Sequence, residues 1–181
     1  RKASSAVDFA KAIMTTDLYP KARSRTVRLS SGKTGVVTGV VKGAGMIEPN
    51  MATMLTFVMT DVELPSPGAD LQAALVDAVN QPGSLNRITV DSDQSTSDTC
   101  FLISSDKVKA TTPEDVAAFG AALVDVCAEL AEDVVRNGEG TNHVIRVEVR
   151  GAPSLELAHG AGKAIANSPL VKSAVYGNDP N

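Results

Sequence analysis

The 181-residue chain has no tryptophan, and aromatics make up only 3% of it. A core must therefore be built from small aliphatic side chains in closely packed layers, as stacked sheets and helices provide. Cysteine is nearly missing: Cys100 and Cys127 both sit among apolar neighbours, and no Asn-x-Ser/Thr sequon occurs, which favours a reducing, intracellular home. His143 and His159 are the only histidines, and neither has a companion at triad or metal-ligand spacing, which argues against Ser-His-Asp or His-metal catalysis. No apolar run reaches the roughly 18 residues of a membrane span, and no charged n-region with an apolar h-region opens the chain, so neither anchor nor secretory peptide is expected. Nor does one sign of charge dominate. Seventeen basic against 21 acidic residues give a net charge of −4, and the basic side chains are no denser than the scattered Lys21, Arg23, Arg25 and Arg28, so a nucleic-acid partner is not expected.

An apolar content of 43% over this length suffices for a single-domain core. The pattern predicts a helix over Ala6–Met14, introduced by Ser5 with Asp8 three residues on, and then a polar hinge "TTDLYPK". Strands are expected at Thr26–Leu29 and Gly35–Val41 around the turn "SSGK", and a stronger one at Thr53–Asp61. After the loop "LPSPGAD", Leu71, Ala74, Leu75, Ala78 and Val79 recur at helical spacing. "RITVD" and "CFLISS" read as two more strands. The clearest helix is Pro113–Arg136: Thr112 is its N-cap, Asp115 closes a capping box, and Val116, Phe119, Leu123, Cys127, Leu130 and Val134 share one face. "HVIRVEV" reads as a strand, Leu155–Ala166 as a helix of small residues, and "SPLVKSAVY" as a final strand or short helix. Interleaved strands and helices with hairpin neighbours argue for an α+β fold in which helices cover sheets.

The stretch "KGAGMIEPNMATMLTF", Lys42 to Phe57, is richer in chemistry than a strand lead-in requires. Thr53 has an ordinary reading as a strand-starting β-branched residue. It is also preceded by the small Ala52 and by a turn at Pro49, with Gly43 and Gly45 where backbones must approach closely. Were the Ala52–Thr53 bond cut, the new α-amino group, with a reference pKa of about 7.7–8.0, would lie beside the hydroxyl it must deprotonate. Threonine with its own amine is a recognised nucleophile and base pairing. Lys42 reads either as a solvated cation at a strand end or as a partner for a substrate carboxylate. Glu139 in "NGEGTNH" is either an exposed acid in a helix-ending turn or a carboxylate held between glycines for an ammonium group. Thr15, Thr16 and Asp17 of "MTTD" read as a helix stop. "GAG" lacks the strand, loop and helix order of a phosphate site, and "SGKT" lacks the earlier glycine of a Walker motif. "DSDQSTSDT", Asp91 to Thr99, is an acidic loop whose carboxylate spacing fits no EF-hand, so metal binding is not expected.

Taken together, "AIMTTDLYPK", "KGAGMIEPNMATMLTF", "LNRITVDSDQSTSD", "VVRNGEG" and "NSPLVKSAVYGNDPN" resemble, in order, the ornithine acetyltransferase family, also called bifunctional glutamate N-acetyltransferase, of arginine biosynthesis. The resemblance covers essentially the whole chain. It implies an α+β fold, a stacked αββα-like sandwich resembling N-terminal-nucleophile hydrolases of the DmpA/ornithine acetyltransferase type. It implies self-cleavage at Ala52–Thr53, with residues 1–52 ending an α chain and 53–181 starting a β chain within one acetyltransferase domain whose ends continue beyond this sequence. Thr53 would be the acetyl acceptor and catalytic residue, with Thr15, Lys42, Thr53 and Glu139 contacting substrate. The reaction would be ping-pong, from N-acetylornithine to Thr53 and on to glutamate.

No cofactor or metal is implied, with acetyl-CoA as an alternative acetyl donor. The implied partners are the two small substrates and the remaining α and β segments in a hetero-oligomer of αβ units. The compartment is the cytoplasm, or alternatively the mitochondrial matrix or plastid stroma. An oxyanion-hole threonine and glycine are expected upstream of Arg1, and further substrate contacts beyond Asn181. Asn137, Thr141, Asn142 and His143 replace commoner family residues around Glu139, Leu85 stands for an aromatic, and Glu48 for a small residue or histidine; acceptor choice is the property these changes bear on. Two other readings are a non-catalytic member serving as a subunit and a related aminopeptidase-type hydrolase that passes the acyl group to water.

Overall fold

The computed structural model describes residues 5–48, 54–94 and 97–180. Helix α1 spans Ala6–Ile13 and opens with the expected box: the Asp8 N–H donates to Ser5 Oγ (3.1 Å) and the Ser5 N–H to the Asp8 carboxylate (3.3 Å). Strands β1 (Lys21–Arg28) and β2 (Thr34–Lys42) form a hairpin with Lys21 opposite Val41 and Arg28 opposite Thr34. β3 (Leu55–Glu63) runs antiparallel to β2, and β4 (Thr99–Lys109) parallel to β3, giving the order β1-β2-β3-β4. The parallel step requires a long crossover. It contains α2 (Pro67–Asn80) and a 3-10 turn at Leu85–Arg87. α3 (Pro113–Arg136), α4 (Leu155–Ala166) and α5 (Pro169–Tyr176) follow.

Alternation along the strands separates two faces of the sheet. Val37, Val41, Val58 and Val62 pack with Phe119, Leu123, Val126, Cys127, Leu130 and Val134 of α3 in one fully buried layer. At the centre of that contact β2 carries Gly39, where an added Cβ would lie 2.5 Å from Leu130 Cδ1 and 2.7 Å from Val126 Cγ1. Only the missing side chain lets α3 seat this closely. The opposite face is partly covered by α1, whose Phe9 ring meets Phe57 edge-on at 5.1 Å, and Phe57 stacks on Phe101 at 5.5 Å. Beyond α1 this face stays open, with Phe101 47% and Ile103 55% exposed.

The α+β class is therefore observed, with one four-stranded sheet among the described residues. No second sheet, as a stacked arrangement would need, occurs among them. Two expected strands are not strands. "RITVD" follows the 3-10 turn, and its one ladder-like bond is from the Val90 N–H to the Ile47 carbonyl at 2.8 Å. "HVIRVEV" keeps alternating exposure, with Val144 exposed and Ile145, Val147 and Val149 half-buried, but no strand of the described residues pairs with it. β-branched alternation shows that a segment suits a sheet and does not supply an edge to join. Other elements differ in their limits. β1 starts at Lys21, inside the expected hinge, α2 begins at Pro67, inside the expected loop, and "SPLVKSAVY" is the helix α5.

Candidate active site

Lys42 is the last residue of β2, opposite Leu55 at the start of β3. It shares a sheet face with Val40, the side on which α1 lies, and is only 8% exposed. Its ammonium donates to Thr15 Oγ1 at 3.1 Å, just past the end of α1. Two of the expected substrate contacts thus meet directly. Lys42 has no ion-pair partner among the described residues, an arrangement that a buried ammonium tolerates poorly without an anion.

The support beneath this pair is Asp17, a carboxylate of the "MTTD" helix stop. Asp17 accepts the Thr15 N–H at 3.1 Å, the Gly43 N–H at 2.8 Å and the Lys21 ammonium. The side chains of Lys21 and Asp17 are 0% and 1% exposed. Burial alone would raise the Asp17 carboxyl, but the Gly43 N–H, the Lys21 ammonium and the Thr15 N–H outweigh it and hold the group below its ordinary value. Asp17 therefore stays ionised and fixes both the backbone after Lys42 and the backbone of Thr15. The available signal was its spacing, an acid four residues before a lysine that opens a strand.

Glu139 arrives from the other side. The end of α3 at Asn137 is buried, and Asn137 Oδ1 accepts the Leu18 N–H at 3.2 Å. Two residues on, the Glu139 N–H donates to the Ala44 carbonyl at 2.8 Å. A Cβ at Gly45 would come within 3.2 Å of the Glu139 carboxyl carbon, so glycine there lets the carboxyl group lie against the turn. Glu139 itself is exposed and forms no ion pair among the described residues. Thr15, Lys42 and Glu139 thus surround the turn at residues 42–45.

Ala52 and Thr53 lie outside the described residues. On the near side of them, the Met46 and Ile47 N–H groups donate to the Asp91 carboxylate at 2.6 and 3.0 Å. On the far side, the Met54 N–H donates to Asp98 Oδ1 at 2.6 Å, and the Met54 carbonyl accepts the Thr99 N–H at 3.1 Å. These carboxylates belong to the acidic loop "DSDQSTSD", so the loop is occupied with backbone donors. No group of three or more His, Cys, Asp or Glu that could hold a metal ion occurs among the described residues.

Three unusual positions take structural roles. Asn137 links α3 to the loop after α1, as above. Leu85, 1% exposed, is a core residue. Glu48 accepts from Lys163 Nζ at 2.9 Å and Asn167 Nδ2 at 3.2 Å, tying the segment before Pro49 to α4. Burial opposes ionisation of Glu48, but its hydrogen-bond donors and Lys163 prevail and lower its carboxyl below the ordinary value. Cys100 and Cys127 are free, and burial pushes each thiol up to about 12, which makes them poor nucleophiles.

A family model described as the ArgJ family matches residues 1–181. The chain belongs to the ArgJ family. Among its relatives, the arginine biosynthesis bifunctional protein ArgJ of Methylococcus capsulatus is 50% identical over 177 residues, covering 95% of this chain and 42% of the relative. The ArgJ protein of Agrobacterium fabrum is 47% identical over 180 residues, covering 95% of this chain and 42% of the relative. That of Rhizobium meliloti is 45% identical over 194 residues, with 99% of this chain and 45% of the relative covered. This ArgJ-family chain thus spans less than half the length of these relatives. No helix among its described residues is long and apolar enough to cross a membrane.

Proposed function

We propose that the complete protein is a glutamate N-acetyltransferase of arginine biosynthesis, which cuts itself at Ala52–Thr53 and carries the acetyl group on Thr53. In this reading residues 1–52 end the α chain and 53–181 begin the β chain of one domain. The Thr53 α-amine takes the proton from its own hydroxyl, and the oxygen attacks the acetyl carbon of N-acetylornithine. Ornithine leaves, glutamate enters, and the ester passes its acetyl group to the glutamate amine. Lys42 and Thr15 receive the substrate carboxylate, and Glu139 the side-chain ammonium of ornithine. Acetyl-CoA is an alternative donor, and no cofactor is required for either half-reaction.

The observation that carries this reading is Lys42, 8% exposed, its ammonium held by Thr15 and in no ion pair among the described residues. Glu139, equally without a counter-charge there, lies across the same glycine turn. One unmatched cation and one unmatched anion suit a zwitterionic amino acid. The remaining α and β segments complete the oxyanion site, and a second sheet covers the open face bearing Phe101 and Ile103, giving the αββα sandwich within a hetero-oligomer of αβ units. The cytoplasm is the proposed compartment.

Intact mass of the full-length protein tests this directly, with cleavage between Ala52 and Thr53 as the expected result. Thr53→Ala should block both cleavage and acetyl transfer while leaving the unfolding midpoint unchanged. Transfer by an uncut or Thr53→Ala protein would refute the reading. N-acetylornithine consumption that proceeds equally fast without glutamate would reassign the protein to the hydrolases.

A further inference from the structure

The acidic loop between the 3-10 turn and β4 holds both described borders of the segment that contains the proposed cleavage site. Asp91 accepts the N–H groups of Met46 and Ile47 at 2.6 and 3.0 Å. Asp98 accepts the Met54 N–H at 2.6 Å. Charge-assisted bonds of this length are at the strong end for backbone donors. Met46 holds a φ of 51° and Ser92 one of 67°, left-handed conformations that such residues keep only where their surroundings impose them. The loop is anchored in its turn: Lys172 of α5 donates to the Val90 carbonyl at 3.1 Å and to Ser92 Oγ at 3.4 Å.

We infer that Asp98 and Asp91 are positioning residues for self-cleavage, a role that rests on the proposed Ala52–Thr53 scission. The chemistry sets the demand. Thr53 Oγ adds to the Ala52 carbonyl carbon, the bond from that carbon to the Thr53 nitrogen breaks, and the hydroxyl proton passes to the departing nitrogen. Water then hydrolyses the ester, leaving an Ala52 carboxylate and restoring the hydroxyl. The attacking residue must approach a carbonyl of its own backbone, so the peptide planes on either side have to be fixed. Asp98 holds the Met54 N–H, the first described donor past the scissile bond. Asp91 fixes the chain on the near side, ahead of Glu48 and Pro49.

The test is the half-time of precursor disappearance during cell-free synthesis of the full-length protein, read by intact mass, beside the unfolding midpoint of each purified variant. Asp98→Ala should lengthen the half-time by about tenfold or more, the scale expected from misplaced reacting groups. Asp98→Asn keeps an acceptor oxygen at the same reach and should restore cleavage to within about threefold of the parent. Asp91→Ala should slow cleavage less than Asp98→Ala does. Cleavage of Asp98→Ala at the parent rate overturns the assignment. Where that variant yields no folded precursor, Asp98→Asn decides, because cleavage slowed about tenfold despite the retained acceptor overturns it equally. A parent protein that is never cut removes the proposed function itself, whereas a cut parent with an equally fast Asp98→Ala variant removes only the clamp.

Discussion

The sheet with α3 and the region after residue 142 are built from similar local signals and end in opposite environments. In the first, Phe119, Leu123, Val126 and Leu130 are all fully buried against β2 and β3. In the second, neither α4 nor α5 has a single buried residue, and Leu155, Leu157, Leu170 and Tyr176 are 60–82% exposed. Both helices are nevertheless capped, by Ser154 and Ser168. Capping and periodicity therefore make a helix, and cover is a separate, non-local matter. Polar contacts attach the second region: Lys163 to Glu48 and to the Ile88 carbonyl, and Lys172 to the Val90 carbonyl.

The largest expected effect tests that contrast directly. Leu130→Ala removes a fully buried side chain and should destabilise the chain by about 2–5 kcal/mol in urea or thermal unfolding. Leu170→Ala changes a side chain that is 82% exposed and should stay within about 0.5 kcal/mol. Equal effects at the two positions would mean that the second region has a core of its own.

The same contrast explains what could be read from the amino acids alone. α3 was legible to its ends, because Thr112, Pro113, Asp115 and one apolar stripe are all local signals. "RITVD" and "HVIRVEV" were not, since their β-branched alternation matches that of β3 while strand formation depends on an edge elsewhere. The convergence of Thr15, Lys42 and Glu139 was legible only as separate motifs. The meeting of Thr15 and Lys42 depends on Asp17, whose partners Gly43 and Lys21 lie at the ends of two different strands, and Glu139 joins through the Ala44 carbonyl. Asp91 and Asp98 stand out only as members of an acidic loop, because the backbone N–H groups they accept, from Met46, Ile47 and Met54, lie 44 or 45 residues away in sequence.

A middle-sized effect should come from Lys163→Met. Glu48 and Lys163 are 13% and 14% exposed, and removing the ammonium leaves a mostly buried carboxylate without its charged partner, held by neutral donors such as Asn167. The loss should be about 1.5–3 kcal/mol in the docking of α4. It should be visible as faster hydrogen exchange over 155–176 while the amides of β2 keep their protection. Uniform loss of protection across both regions would show that they unfold together.

The smallest effect distinguishes the regions by pH. Asp115 accepts the Ser30 N–H at 2.6 Å and the Thr111 N–H at 2.9 Å, and these bonds with the Ser30 hydroxyl and Thr112 hold its carboxyl down at about 2 against an ordinary 3.8. A folded-state value below the unfolded one means that the contribution is complete above the unfolded value and is lost as pH falls from 3.8 towards about 2. This group ties the β1–β2 turn to the start of α3, so the acid-sensitive link belongs to the body of the protein. Asp115→Asn keeps one acceptor oxygen but no charge, so it should lower stability slightly at neutral pH and flatten the acid limb between pH 3.8 and about 2. Glu48, also lowered, starts from a higher ordinary value of 4.5. Release of α4 should therefore begin at a higher pH than loosening of α3, and exchange at 155–176 should rise before exchange at 113–136 as the solution is acidified.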